Sequence, residues 1–253
     1  MSRPDSSKVL LVTGAGRGIG AATAVLAAGQ GWRVVVNYFR DESSATRIAR
    51  TIRQNGGVAL CFQADISDED SVINLFETVD SEFGRLDGLV NNAGILESQM
   101  RLESMDGDRL DRVFATNVRG SFLCAREAVK RMSVRHGGHG GAIVNVSSAA
   151  SRLGSANEYI DYAASKGALD TMTIGLAREV AADGIRVNAV RPGLIETDIH
   201  ARGGEPGRPE RLQKHIPLKR PGRAGEVAEA IVWLLSEQAS YCTGAFLECA
   251  GGR

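Results

Sequence analysis

The chain has 253 residues, 43% of them hydrophobic and 24% charged, with only six prolines; that composition excludes a disordered or fibrous chain and supplies ample apolar material for a core. Thirty basic residues against thirty acidic ones leave no formal net charge, which removes any general attraction to nucleic acid or an anionic membrane and leaves only local patches to consider. Cys61, Cys124, Cys242 and Cys249 are scattered without CxxC or metal-ligand spacing, the pattern of single reduced thiols, and no metal site is expected.

The opening stretch MSRPDSSKVL has no apolar segment of the kind a secretory leader carries, and no run approaches the roughly 18 apolar residues of a membrane span. A cytoplasmic location with no membrane or nucleic-acid partner is therefore the expectation. From there short β-branched runs alternate with helical patterns. KVLLVTG precedes a helix from about Ile19, RVVVNY precedes ESSATRIARTIRQN, and VALCFQAD precedes a helix opened by Ser67 with Asp70 in the capping-box position. The rhythm continues with LDGLVNNAG, a helix from about Arg109 to Arg135, GAIVNVSS, a helix from Tyr162 to Ala182, IRVNAVRPG, the helix EVAEAIVWLLS and finally GAFLECAGG.

Seven strands and six main helices result. Near-continuously apolar strands imply burial on both faces, so the expected fold class is α/β, a Rossmann-like doubly wound parallel sheet of about seven strands with helices on both faces. No change of rhythm marks a boundary, so one domain over 1–253 is expected. The Gly- and Arg-rich stretch 201–223 breaks the pattern; it reads either as a mobile substrate lid, taken at its widest as 197–223, or as a long surface connection.

VTGAGRGIG joins the first strand to the first helix and supplies Gly14, Gly16, Gly18 and Gly20. Glycines there let backbone N–H groups approach an anion at a helix N-terminus, so a dinucleotide pyrophosphate fits, although a Gly-rich turn can also be a simple tight connection. The second strand ends VVVNYFRD. An NAD site usually places an acid at that end, whereas an NADP site offers a cation to the 2′-phosphate. Here Asn37 stands where the acid is expected, Arg40 follows, and Arg17 lies inside the glycine turn, which favours NADP over NAD. The alternative is that both arginines are solvated and that Asp41 or Glu42 reaches the ribose.

YIDYAASK, residues 159–166, holds two tyrosines three apart, the second four residues before a lysine. Residues four apart on a helix share a face, so Tyr162 and Lys166 can converge on one ligand. A positive charge ~4 Å from a phenolate, at an effective dielectric near 20, stabilises it by about 4 kcal/mol, roughly three pKa units, which would bring Tyr162 toward neutrality. HGGHGG, with His136 and His139, reads as solvated loop histidines rather than metal ligands. His200 and His215 fall in or near the lid, where either could touch a substrate.

Taken in order, TGAGRGIG, NNAG at 91–94, Asn117 in ATNVRGSF, Ser148 in VNVSSAAS, YAASK at 162–166 and RPGLIETD at 191–198 resemble the short-chain dehydrogenase/reductase family over essentially the whole chain, in the single-domain TGxxxGxG form. The family pattern Tyr-x-x-x-Lys selects Tyr162 and makes Tyr159 a flanking residue. The resemblance implies that Tyr162 exchanges a proton with a carbonyl or alcohol oxygen while hydride passes to or from nicotinamide. It further implies that Ser148 rather than Ser147 holds that oxygen, that Lys166 grips the nicotinamide ribose, and that Asn117 anchors a proton-carrying water, or else only pins helix to strand. Asp65 resembles the acid beside the adenine; Asn91, Ala93 and Gly94 resemble backbone contacts along the adenosine ribose; Pro192, Gly193, Ile195 and Thr197 resemble the nicotinamide wall. Ile19, Tyr38 and Ile66 adjoin these positions and complete the expected cofactor contacts.

The function so implied is an NADP(H)-dependent oxidoreductase acting on a small-molecule carbonyl or secondary alcohol, with a dinucleotide-binding sensor that lacks turnover as the alternative. Members are commonly homotetramers built through the helices near Arg109 and Tyr162 and the last strand. The resemblance to acyl-carrier-protein ketoreductases and to sugar or polyol dehydrogenases is equal, so the substrate stays open.

Overall fold

The seven apolar runs pair side by side in one parallel sheet, as runs hydrophobic on both faces must. A computed structural model describes residues 7–253; the side chains of His200 and Arg202 are not described, so the expectation that His200 meets a substrate lies outside the described residues. The strands are β1 (Val9–Val12), β2 (Arg33–Tyr38), β3 (Val58–Gln63), β4 (Gly88–Asn91), β5 (Gly141–Val146), β6 (Ile185–Pro192) and, after a two-residue ladder of β7 (Ile195–Glu196) with β8 (Gly222–Arg223), β9 (Phe246–Cys249). The spatial order of the large sheet is β3-β2-β1-β4-β5-β6-β9, every pair parallel. The chain reverses its direction of travel between β1 and β4, and that is where a doubly wound sheet leaves a crevice beyond its strand ends.

Alternate strand residues build two cores. Leu10, Val12, Val34, Val36, Val144 and Val190 face one layer formed by α1 (Gly18–Gly29), α2 (Glu42–Gln54) and α10 (Ala224–Leu235). Val9, Leu11, Val35, Leu89, Ile143 and Val187 face the other, formed by α3 (Glu69–Phe83), α5 (Gly120–Met132), which follows α4 (Gly107–Phe114), and α7 (Ile160–Glu179). The short α6 (Ala150–Leu153) precedes α7, and α8 (Ile199–Arg202) and α9 (Arg208–Leu212) lie between β7 and β8. No helix among the described residues is long and apolar enough to cross a membrane.

Three boundaries differ from the sequence reading. Asp68, not Ser67, caps α3 by accepting from the Ser71 N–H at 2.8 Å, because the Ser67 N–H and hydroxyl both donate to Asp65 in a tight turn, at 2.9 and 2.7 Å. α7 begins at Ile160, two residues earlier than expected. The long helix expected over 109–135 is α4 and α5 joined by a π-turn at Ala115–Arg119, a wide turn that periodicity cannot show.

α4 is tied to the first turn of α7 by a buried ion pair. Arg109 Nε donates to Asp161 Oδ2 at 2.7 Å and Nη2 to Oδ1 at 3.3 Å, while Nη1 donates to the Ser98 carbonyl at 2.6 Å. The side chains are only 3% and 1% exposed. Removing one partner of such a pair strands the other charge. Asp161→Ala is therefore expected to lower stability by about 3–5 kcal/mol in equilibrium urea unfolding, and a loss below about 1 kcal/mol would show the pair to be dispensable.

Candidate active site

At the carboxyl ends of β1, β4, β5 and β6 a continuous cleft of about 1810 Å³ opens. Its floor begins at the glycine turn. Gly14, Gly16, Arg17, Gly18 and Ile19 all line it. Gly14 and Gly18 hold φ at +61° and +55°, where a Cβ is strained, and a Cβ on Gly18 would sit 3.4 Å from the Thr197 methyl across the cleft. Gly20 does not face the cleft. A Cβ there would lie 2.4 Å from Asn92 Nδ2, so this glycine serves helix packing, a correction to its place among cofactor contacts.

Asn92, which the sequence reading passed over, holds the turn in place by donating to the carbonyls of Thr13 and Gly14 at 2.8 and 3.1 Å. Thr13 Oγ1 accepts from the N–H groups of Asn92 and Ala93, both at 3.0 Å. The motif NNAG carried the signal, but strand parity assigns its two asparagines to opposite environments. Asn91 is 1% exposed and donates to Asn145 Oδ1 at 3.0 Å beneath the floor. Ala93 and Gly94 line the cleft and Asn91 lies just below them.

At the far end, Tyr38, Arg40, Asp65 and Ile66 line the wall. Asn37 reaches it with its amide already committed. Its Oδ1 accepts from the Gly14 N–H at 3.2 Å and its Nδ2 donates to the carbonyls of Ala64 and Phe62 at 3.1 and 3.4 Å. An acid at this position would face carbonyl oxygens with no proton to offer, so an amide suits this junction of three strands, where Asn37 still lines the cleft. The guanidinium of Arg40 lies 4.8 Å from the Phe39 ring centre. Asp41 caps α2, accepting from the Ser44 N–H at 3.0 Å and the Ser43 hydroxyl at 2.9 Å.

Ser148, Tyr162 and Lys166 meet at the opposite end, and Pro192, Gly193, Ile195 and Thr197 form the facing wall. Tyr162 and Ser148 are half-buried. Ser147 is 2% exposed and donates to the Lys166 carbonyl at 3.2 Å, which leaves Ser148 as the serine presented to a ligand. Lys166 is 3% exposed; its Nζ donates to the Val146 carbonyl at 2.8 Å and lies 5.6 Å from the Tyr162 ring centre. A Cβ on Gly94 would lie 3.4 Å from both Lys166 Nζ and Asn117 Oδ1, which places these two groups beside the loop after β4.

Asn117 lies fully buried behind this group and outside the cleft lining. Its Oδ1 accepts from the Ile95 N–H at 2.8 Å, and its Nδ2 donates to the Ile95 carbonyl and to Ser165 Oγ, both at 3.0 Å. Ser165 in turn donates to the Tyr162 carbonyl at 2.7 Å. Asn117 is thus a positioning residue that pins the π-turn, the loop after β4 and the first turns of α7.

Tyr159 has a different task from its neighbour. Buried to 3% exposure, it donates its hydroxyl to the Gly203 carbonyl at 3.2 Å and carries the Arg208 guanidinium 5.0 Å above its ring centre. Arg208 pairs with Glu158 at 2.5 Å. Of the stretch 197–223, Thr197, Asp198, Ile199 and Arg208 line the cleft. His136 and His139 lie on the loop before β5, away from the cleft lining.

The charges differ from the sequence expectation. Burial pushes the Tyr162 phenol up to about 12, with the Ser148 hydroxyl pulling it down, and burial pushes Lys166 down to about 8, with the Asp170 carboxylate opposing. For both groups burial is the larger influence. Between pH 8 and 10.5 the folded protein carries neutral Lys166 while the unfolded chain is still protonated there, so this residue's contribution to stability rises with pH. Wild type is accordingly expected to gain up to about 3 kcal/mol on Lys166→Met between pH 8 and 10.5, and parallel pH–stability curves for the two would contradict that burial.

A family model described as enoyl-(acyl carrier protein) reductase matches residues 14–253. An uncharacterized oxidoreductase, YgfF, of Escherichia coli (strain K12) is 58% identical over 245 residues, covering 97% of this chain and 99% of its own. Among solved structures, a short chain dehydrogenase from Burkholderia cenocepacia J2315 in complex with NADP is 32% identical with a TM-score of 0.90, covering 99% of each chain. A 3-ketoacyl-(acyl-carrier-protein) reductase from Brucella melitensis complexed with NADH is 36% identical with a TM-score of 0.89, covering 97% of this chain and 98% of its own.

Proposed function

The chain belongs to the short-chain dehydrogenase/reductase family and is an oxidoreductase of that type, and from this premise we propose that it reduces a small-molecule carbonyl with NADPH, Tyr162 acting as the proton donor. The observation that supports this reading is that Tyr162, Ser148 and Lys166 line one cleft, with Lys166 Nζ 5.6 Å from the Tyr162 ring centre. A nicotinamide dinucleotide suits the residues present, since the cleft runs unbroken from the N-terminus of α1 to Tyr162, and the glycines leave its floor open to a pyrophosphate. Gly14, Gly16, Gly18 and Ile19 would hold that pyrophosphate, Ala93 and Gly94 the adenosine side, and Ile195 and Thr197 the nicotinamide side. When bound, such a cofactor supplies or accepts a hydride.

The residues of the chain do the rest. Ser148 holds the substrate oxygen by a hydrogen bond, and Tyr162 gives that oxygen its proton as negative charge develops there. The phenolate left on Tyr162 is stabilised by the Ser148 hydroxyl and by the Lys166 ammonium, which is charged below about pH 8. Arg17 and Arg40 at the ribose wall favour the 2′-phosphate of NADPH. The stretch 197–223 serves as the substrate lid, and the protein works as one domain and as a homo-oligomer in the cytoplasm.

Tyr162→Phe removes only the transferable proton, so carbonyl reduction should fall at least a hundredfold, within the range for a lost general acid, while NADPH affinity by fluorescence titration stays within about twofold. Retention of a tenth of the rate would refute the assignment. Reduction should also decline as pH rises through about 8, where Lys166 loses its proton, and a rate that climbs across that range would contradict the role given to the ammonium.

A further inference from the structure

Among the described residues, two cations of the cleft lining are buried, Lys166 at 3% exposure and Arg208 at 7%. Lys166 belongs to the group around Tyr162, whereas Arg208 takes no part in the proposed reaction. A buried guanidinium in a cleft wall is a ready seat for a carboxylate, which it grips with paired N–H donors. Here that seat is taken from within the chain. Arg208 Nη2 donates to Glu158 Oε2 at 2.5 Å and Nη1 to Glu205 Oε2 at 3.4 Å, and the guanidinium lies 5.0 Å from the Tyr159 ring centre. Glu158 itself lines the cleft, four residues before Tyr162. The backbone is bent to hold it there. Ser155 and Asn157 have φ of +49° and +63°, a region that residues other than glycine occupy at a cost and only where the surroundings impose it. The Ser155 carbonyl accepts from the N–H groups of Glu158 and Tyr159 at 3.1 and 3.0 Å, and the Glu158 carbonyl accepts from the Met100 N–H at 3.1 Å.

We infer that Glu158 sets the charge selectivity of the substrate site: it occupies the Arg208 guanidinium, so that the cleft takes an uncharged ketone or aldehyde with an apolar body and turns away an anionic one. This rests on the reading of the protein as a carbonyl reductase and deepens it by a substrate class. An anionic substrate has to displace Glu158 and leave that carboxylate without its partner, a cost that a neutral substrate never meets. The wall beside the pair is apolar. A Cβ on Gly203 would lie 2.9 Å from Leu96 Cδ2 and 3.1 Å from Tyr159 Oη, which sets Leu96 next to Tyr159, and Leu96, Leu153, Ala156 and Ile199 line the cleft. A second lining pair repeats the pattern, with Arg112 Nε and Nη2 donating to the Glu97 carboxylate at 2.8 and 3.0 Å.

The test is steady-state reduction, with NADPH, of two matched pairs of ketones: acetophenone with 4-acetylbenzoate, and cyclohexanone with 3-oxocyclohexanecarboxylate. The proteins compared are wild type, Glu158→Gln, Glu158→Asp, and Glu158→Gln combined with Arg208→Met. Wild type should favour the neutral member of each pair by about tenfold or more in kcat/KM, the size of one charge-assisted hydrogen bond. Glu158→Gln keeps the shape and frees the guanidinium, so the preference should shrink about tenfold through a lower KM for the carboxylated ketones, and less so at about 0.5 M salt. Glu158→Asp keeps the charge and should keep the preference, and adding Arg208→Met should abolish the gain. A Glu158 that served structure alone would change both members of each pair alike. Equal reduction of both members by wild type, or an unchanged ratio in Glu158→Gln, would overturn the inference and leave the reductase reading standing. No turnover of any of the four ketones by any of these proteins would overturn both.

Discussion

The burial of one ammonium group governs this molecule. Lys166 stands on the sheet-facing side of α7, 3% exposed, and its Nζ reaches the last carbonyl of β5 at 2.8 Å. That bond ties the helix to the strand end beside which Ser148 emerges, so helix register, loop and cleft floor are set by one contact. Desolvation costs the charged form and lowers the lysine to about 8, and the same low-dielectric surroundings raise its neighbour's phenol to about 12. The pair therefore sets a phenol shifted toward its protonated form beside a buried lysine, the arrangement that the proposed proton transfer draws on.

Around this pair the structure spends several polar side chains on geometry alone. Asn117, Ser165 and Ser147 are buried, and each bonds to backbone of α7 or of the loop after β4. The Arg109–Asp161 pair fastens the residue before Tyr162 to α4. Tyr159, one turn earlier, fastens the covering segment through Gly203 and Arg208. Two tyrosines three residues apart thus divide the work, one facing the ligand and one holding the wall that closes over it.

Much of this was legible in the sequence, and the failures have physical causes. Parallel strands buried on both faces leave unmistakable apolar runs, and all seven strands and the two-sided helix layers were readable from them. The glycine turn, Ser148, Tyr162 and Lys166 were readable because motif spacing dictates which of them converge. The inward bonds of the Asn37 and Asn91 amides were not legible, because a polar side chain at a strand end can turn to buried partners in ways that letters alone do not reveal. Gly20 is a packing glycine among anion-facing ones for the same reason. The roles of Tyr159, Glu158 and Arg208 depend on contacts across some 50 residues of chain, and local pattern carries no trace of such pairs.

The central claim is that burial raises the Tyr162 phenol in the free protein. Carbon-13 labelling of the tyrosine ring, with the Tyr162 resonance assigned by its loss in Tyr162→Phe, allows its ionisation to be followed directly by NMR as pH is raised. The account predicts a signal that stays in the phenol position through pH 10 and moves only toward about 12. A transition centred near pH 7 would contradict it and show that Lys166 outweighs desolvation.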